Sequence, residues 1–177
     1  MKNVVFVDGQ NVFVSTRKDN WKISFERFFV YLKMKYEVDK AYYFLGAKRS
    51  DDTSLKLYTK IEKAGFTLVF RMHDDLSLSE KKGNVDTDIV FEMLKTYIDS
   101  KDYNQMILVS GDGDYFKVVE YLISKGKFLK VLFPSSKSNS SLYKRLSSKF
   151  YSFLTEPDVM KKIRILEAQN EKANLGN

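Results

Sequence analysis

Five short apolar runs, separated by stripes of apolar residues at helical spacing, constrain the fold of this chain most strongly. The runs are Val4–Val7, Ala41–Leu45, Thr67–Met72, Met106–Val109 and Phe128–Phe133. Each run is continuous rather than alternating, which is typical of strands buried on both faces of a parallel sheet. The pattern predicts an α/β fold with three layers, α/β/α, around a central parallel sheet.

The order of the strands matters because ligands of such sheets bind beyond the carboxyl ends of the strands, where the strand order reverses. Right-handed crossovers restrict the possible orders but do not select one. We expect the order 3-2-1-4-5, which places the first and fourth strands side by side at the reversal. Residues that follow these two strands would then meet at one edge.

The length of 177 residues fits one domain with a short appendage. We place the domain at residues 1–154 and a C-terminal helix with a frayed tail at 155–177, with Pro157 in the first turn of that helix. No cysteine is present, which excludes disulfides and thiol catalysis. No apolar stretch approaches a membrane span, so we expect a cytoplasmic protein without membrane association.

The chain carries 30 Lys and Arg against 23 Asp and Glu, and part of the excess follows the fifth strand. We expect a mobile Ser-rich segment at 135–141, followed by a basic helix at 142–150. Lys144 and Arg145 on this helix form either a solvated face or a surface that holds phosphates. A basic surface beside an acidic site suits a polyanionic partner.

Acidic residues follow the first and fourth strands directly. Asp8 ends the first apolar run, and Asp112 and Asp114 stand in the Ser-Gly-Asp-Gly-Asp string after the fourth. One interpretation is local, since Asp8 fits a turn and Asp114 fits a helix cap. The other interpretation is a shared site, because two acids framed by glycines are poorly explained by capping alone.

A third acidic pair, Asp86 and Asp88, opens the helix after the third strand. Asp86 as an N-cap is the local alternative. If all three groups converge, their mutual repulsion is unfavourable unless a cation lies among them. Carboxylates suit hard cations, so the pattern predicts a Mg²⁺ or Mn²⁺ site for phosphoryl transfer.

Other catalytic classes lack the residues that they need. His73 is the single histidine, so Ser-His-Asp catalysis and a zinc site are unsupported. No Gly-rich Lys-Ser/Thr loop is present for nucleotide phosphates. A phosphatase of the haloacid dehalogenase type needs an acid two residues after Asp8, where this chain has Gln10.

These motifs, in this order and spacing, resemble the NYN domain family of PIN-like nucleases, which includes LabA-like bacterial proteins. The resemblance covers about Lys2 to Leu154 and rests on residues 7–11, 82–86 and 109–114, with 119–127 also typical. It implies metal-dependent ribonuclease activity on RNA, and we expect the substrate to be single-stranded. The alternative is a catalytically silent RNA-binding or regulatory module of the same fold.

The resemblance also implies roles for single residues. The metal ligands and catalytic residues would be Asp8, Asp86, Asp112 and Asp114, with Asp88 a less certain ligand. By the resemblance, substrate contacts would come from Asn11 and Ser110, and the excess of basic residues adds Lys82, Lys144 and Arg145. RNA is the expected partner, and a homodimer is left open.

Overall fold

The computed structural model describes residues 2–46, 49–71, 85–100 and 102–166. Its centre is a sheet of six parallel strands in the order β3-β2-β1-β4-β5-β6. The strands are β1 (Lys2–Asp8), β2 (Val38–Leu45), β3 (Thr67–Phe70), β4 (Tyr103–Val109), β5 (Phe128–Phe133) and β6 (Tyr151–Phe153). The expected order 3-2-1-4-5 is therefore confirmed, with one more strand at the edge.

Helices cover both faces of this sheet. They are α1 (Gly9–Lys18), α2 (Phe25–Tyr36), α3 (Asp52–Lys63), α4 (Val85–Asp99), α5 (Phe116–Ser124) and α6 (Pro157–Ile163). Neighbouring residues of β1 point to opposite faces, as the twofold repeat of a strand requires. Val5 and Val7 join the core under α1, α2, α3 and α6, whereas Val4 and Phe6 join the core under α4 and α5.

Helix α1 was not expected from the sequence. Its sequence is polar on average and its first residue is glycine, so no apolar stripe marks it. Asp8 starts the helix, because its side chain accepts a hydrogen bond from the backbone N–H of Asn11 at 2.9 Å. The turn predicted at Asp8 is therefore the N-cap of a helix.

The basic helix predicted at 142–150 is wrong. Two short 3₁₀ helices, Ser141–Arg145 and Ser148–Phe150, occupy this stretch, and β6 follows at once. The apolar spacing of Leu142, Leu146 and Phe150 imitates a helical face, but Leu142 is 40% exposed and the buried residue is Tyr143. Tyr143 packs against Phe133 and Phe116, and that contact selects the tighter turns.

The segment at 135–141, which we expect to be mobile, is anchored near both of its ends, and residues 136–138 between them are exposed. Ser135 is buried, and the backbone N–H of Ser140 donates to the carbonyl of Gly111 at 2.9 Å. The C-terminal helix α6 packs against α2, where the Arg27 side chain donates to the carbonyls of Lys161 and Lys162. The tail expected to fray, residues 167–177, lies outside the described residues.

Within the described ranges, no helix has both the length and the apolar character needed to cross a bilayer.

Candidate metal centre

Asp8 lies at the carboxyl end of β1, where the chain turns into α1. Its side chain is buried, with 4% exposed. The turn needs glycine at the next position, because a Cβ on Gly9 would overlap the ring of Tyr43 and come 2.5 Å from the carbonyl oxygen of Phe44. The close approach of β2 therefore fixes the direction in which Asp8 projects.

The loop after β4 is tied to Asp8 by two side chains. The Ser110 hydroxyl donates to Asp8 Oδ2 at 3.2 Å and accepts from the backbone N–H of Asp112 at 3.1 Å. Asn11 Oδ1 accepts from the backbone N–H of Gly111 at 2.9 Å. Ser110 is fully buried. Both residues, predicted as substrate contacts, are therefore placed to hold the β1 and β4 loops together.

Three carboxylates converge beside this loop. One oxygen from each of Asp86, Asp112 and Asp114 lies within 4.8 Å of the others. Asp86 comes from the first turn of α4, Asp112 directly precedes the 3₁₀ turn Gly113–Tyr115 after β4, and Asp114 lies within that turn. Asp112 also caps that turn, since its Oδ1 accepts from the backbone N–H of Asp114 at 3.0 Å. Capping and clustering thus occur together at Asp112.

Tyr115 joins Asp8 to this cluster, and the sequence analysis missed that role. Its ring is fully buried, and its hydroxyl lies 3.1 Å from Asp8 Oδ2 and 2.5 Å from Asp86 Oδ1. Having one proton, the hydroxyl donates to one of these carboxylates at a time. The available signal was a tyrosine directly after strand-end acids, because a buried phenol needs an acceptor.

The carboxylates in this site repel one another. Burial, with a smaller contribution from the charge of Asp86, raises the pKa of the Asp8 carboxyl above its usual range. Burial and the charge of Asp8 raise the pKa of the Tyr115 phenol, which therefore keeps its proton at neutral pH. Charges 4.8 Å apart repel by about 1 kcal/mol in water and about 3 kcal/mol at an effective dielectric constant of about 20.

The donor set fits a divalent cation. All the converging ligand atoms are carboxylate oxygens, which Mg²⁺ and Mn²⁺ accept. Mg²⁺ holds oxygens at about 2.0–2.1 Å, so ligands on opposite sides lie about 4.2 Å apart. Small side-chain rotations bring a cluster within 4.8 Å to that spacing. The acidic cluster can therefore hold a metal ion.

The other predicted site residues lie apart from these three oxygens. Asp88, two residues along α4 from Asp86, forms an ion pair with Arg71 at 3.7 Å. Lys144 and Arg145 are exposed on the first 3₁₀ helix after β5. Lys82, like His73, lies outside the described residues. The ligand roles of Asp8 and Asp88 stay predictions.

The sequence of this chain is similar to those of known proteins. The model of the NYN domain family matches residues 2–154. The low amplitude and bright protein LabA of Synechococcus elongatus is 27% identical over 136 residues, which cover 72% of this chain and 71% of LabA.

A solved structure gives the same fold. A protein of unknown function from Vibrio parahaemolyticus aligns over 93% of this chain and 96% of its own, with a TM-score of 0.72 and 19% identity. At that identity the likeness concerns the fold alone. Because the family model spans most of the sequence and the PIN-like sheet carries an acidic cluster at its carboxyl edge, the chain belongs to the NYN domain family.

Proposed function

We propose that this protein is a divalent-metal-dependent ribonuclease that hydrolyses phosphodiester bonds in single-stranded RNA. The observation that carries the proposal is the convergence of Asp86, Asp112 and Asp114 within 4.8 Å at the carboxyl edge of the sheet. Membership of a family with a nuclease-like fold supports this reaction class. Mg²⁺ and Mn²⁺ are the proposed cofactors.

The chain's own residues would hold the cation and orient the substrate. Its oxygen ligands would come from Asp86, Asp112 and Asp114. Asp8 would act on the cation through its hydrogen bond with Tyr115, or bind it directly after a side-chain rotation. When bound, the cation supplies Lewis-acid stabilisation of the phosphate charge and lowers the pKa of a water. Ser110 and Asn11 would keep the two loops at a fixed separation.

The first test is cleavage of single-stranded RNA by the pure protein with Mn²⁺ or Mg²⁺. We expect products with a 5′-phosphate and a 3′-hydroxyl, and no cleavage in EDTA. Asp112→Asn should lower the rate at least about 100-fold, because a neutral amide is a poor ligand for a hard cation. Thermal unfolding with and without Mn²⁺ should show stabilisation of the wild type and little for the variant.

Asp51→Asn is the matched control. Asp51 caps α3 as Asp112 caps its turn, with Oδ1 accepting from the backbone N–H of Ser54 at 2.9 Å, and it is not part of the three-carboxylate cluster. The control should cleave like the wild type. Cleavage by Asp112→Asn at the wild-type rate would overturn the proposal.

The second candidate is a silent RNA-binding module, and the capping bond from Asp114 to Asp112 is the observation that favours it. In that case Asp112 serves only to start the 3₁₀ turn. No preparation would then cleave RNA in any metal, and Mn²⁺ would leave the melting temperature unchanged. The same experiment therefore separates the two functions.

A further inference from the structure

The segment between β5 and β6, residues 134–150, lies directly against the loop after β4 that carries Asp112 and Asp114. We call this segment the strap. Tyr143 donates its hydroxyl to the carbonyl of Asp112 at 2.6 Å, and the backbone N–H of Ser140 donates to the carbonyl of Gly111 at 2.9 Å. A Cβ on Gly111 would come 2.7 Å from the carbonyl oxygen of Ser138. The strap and the loop that carries Asp112 are therefore in backbone contact.

The charge of the strap is entirely positive. Its sequence contains Lys137, Lys144, Arg145 and Lys149, with no Asp or Glu. Lys137 forms an ion pair with Asp19 at 3.9 Å. Lys144, Arg145 and Lys149 are exposed, and across the described ranges no carboxylate lies within ion-pair distance of them. Three exposed cations that have no ion pair among the described residues thus lie on a segment that contacts the loop of Asp112.

Arg145 is held in a defined position. Its guanidinium lies over the ring of Phe116, 5.2 Å from the ring centroid. Phe116 comes two residues after Asp114 and is buried. A guanidinium stacked on a buried ring loses little freedom when it binds an anion, and its planar fork matches two phosphate oxygens. The Arg145 guanidinium is therefore preorganised to bind an anion next to the loop that carries Asp112 and Asp114.

We propose that the strap is the surface that holds the phosphate backbone of single-stranded RNA next to the metal centre, with Lys144 and Arg145 as its main contacts. The inference rests on the proposed function for the choice of RNA. Cations along a groove bind a strand without reading its sequence, and stacked arginines add to this. The strap holds the strand while the carboxylate cluster receives the scissile phosphate.

Binding is measured with the full chain in EDTA, so that the metal-dependent reaction is off. The probe is a fluorescently labelled single-stranded RNA, and its affinity is followed by anisotropy across a series of salt concentrations. Loss of two phosphate contacts lowers the slope of log affinity against log salt by about 1.4, and the affinity by about 25-fold at 0.1 M salt. We expect these changes for Lys144→Ala with Arg145→Ala.

Lys60→Ala with Lys63→Ala is the matched control. It removes the same charge from the last turn of α3, where both residues are exposed. We expect its affinity for RNA to stay within about threefold of the wild type, because salt screens the attraction between RNA and charges that do not contact it. The single variant Arg145→Lys should retain the salt slope and lose part of the affinity for RNA, because lysine keeps the positive charge but lacks the planar guanidinium that stacks on Phe116.

The strap proposal is overturned if the strap double variant binds RNA with the affinity and slope of the control, or if the wild type binds no single-stranded RNA at low salt. Failure of the ribonuclease proposal looks different, because RNA then binds through the strap but is never cleaved. Cleavage that persists with an unaltered KM in the strap variant sinks the strap proposal alone. Melting temperatures of all variants exclude unfolding as the cause.

Discussion

Strand β1 carries one buried polar residue at each end, and the two ends differ in what they hold. At the amino end, Asn3 is 6% exposed and fully engaged with backbone groups. Its amide donates to the carbonyl of Tyr36 at 2.7 Å, and its carbonyl oxygen accepts from the backbone N–H of Gln105 at 3.0 Å. Asn3 thus fastens the end of α2 and the start of β4 to β1.

At the carboxyl end, Asp8 is equally buried but charged. It accepts from one backbone N–H, of Asn11, and from the hydroxyls of Ser110 and Tyr115. The hydrogen bonds favour the charged form, yet burial dominates and raises the pKa. A neutral amide would satisfy a structural role at lower cost, as Asn3 does. The comparison supports the proposed cation site, because a buried charge is costly unless a counter-charge lies nearby.

The largest expected effect is the loss of cleavage in Asp8→Asn. The amide can still accept from the backbone N–H of Asn11, but it removes the negative charge behind the carboxylate cluster. We expect the cleavage rate to fall at least about 100-fold, which corresponds to about 2.7 kcal/mol. Single-turnover cleavage with Mn²⁺ measures it, and thermal unfolding in EDTA should show no loss of stability.

A variant that unfolds in EDTA and cleaves normally when folded would reverse the comparison. Asp8 would then be the structural end of β1.

The second effect concerns the other end of the strand. Asn3→Ala leaves the carbonyl of Tyr36 and the backbone N–H of Gln105 without their partner. We expect the free energy of unfolding to fall by about 2–4 kcal/mol, since each buried unsatisfied group costs about 1–3 kcal/mol. Urea unfolding measures this. The stabilisation by Mn²⁺ and the cleavage rate per folded molecule should remain at wild-type values. A lost Mn²⁺ response would mean that the amino end of β1 also affects the proposed metal site.

A third effect separates charge from position at the carboxyl end. Tyr115→Phe removes the hydroxyl between Asp8 and Asp86 while keeping the buried ring. Loss of such a supporting hydrogen bond typically weakens metal affinity about 10–100-fold. Titration with Mn²⁺ followed by calorimetry tests this, and the pH profile of binding should shift because the two carboxylates lose their shared donor.

Tyr31→Phe is its control, since that buried hydroxyl faces Tyr36 on the other side of the sheet. An equal loss of Mn²⁺ affinity in both variants would mean that buried tyrosines act through stability alone.

Sequence alone predicted the sheet and the convergence of Asp86, Asp112 and Asp114, because both follow from the positions of the strands. Continuous apolar runs identify buried parallel strands, and residues just after them share one edge. The same logic did not find β6, whose three residues have no run of their own and depend on packing against Phe133. Nor did it find α1, since glycine and polar residues conceal a helix that Asp8 caps.

The sequence predicted which types of residue form the site but not the hydrogen bonds that connect them. The spacing marks Asp112 and Asp114 as neighbours, whereas the link from Asp8 to Asp86 passes through Tyr115, which reads as an ordinary core aromatic. The substrate contacts of Ser110 and Asn11 stay predictions, and the sequence did not reveal that their hydrogen bonds join the two loops. Such partnerships depend on side-chain geometry between residues at least 100 positions apart in sequence.

The smallest expected effect is a pH dependence of stability in the absence of metal. Burial raises the pKa of Asp8 in the folded state above 3.8. A raised folded pKa gives stability that is complete below pH 3.8 and is lost as the pH rises through the folded value. The stability of Asp8→Asn relative to the wild type should therefore increase over that interval and then level off. Urea unfolding in EDTA at several pH values measures this difference.

Asp51 supplies a control of opposite sign. Hydrogen bonds from the backbone and hydroxyl of Ser54 lower the pKa of this exposed carboxyl below 3.8. Its contribution is present above pH 3.8 and is lost as the pH falls through the folded value, so Asp51→Asn should become relatively less stable as the pH rises. Parallel slopes for the two variants would mean that Asp8 behaves as an ordinary cap, and the charge at that end of β1 would no longer require a cation.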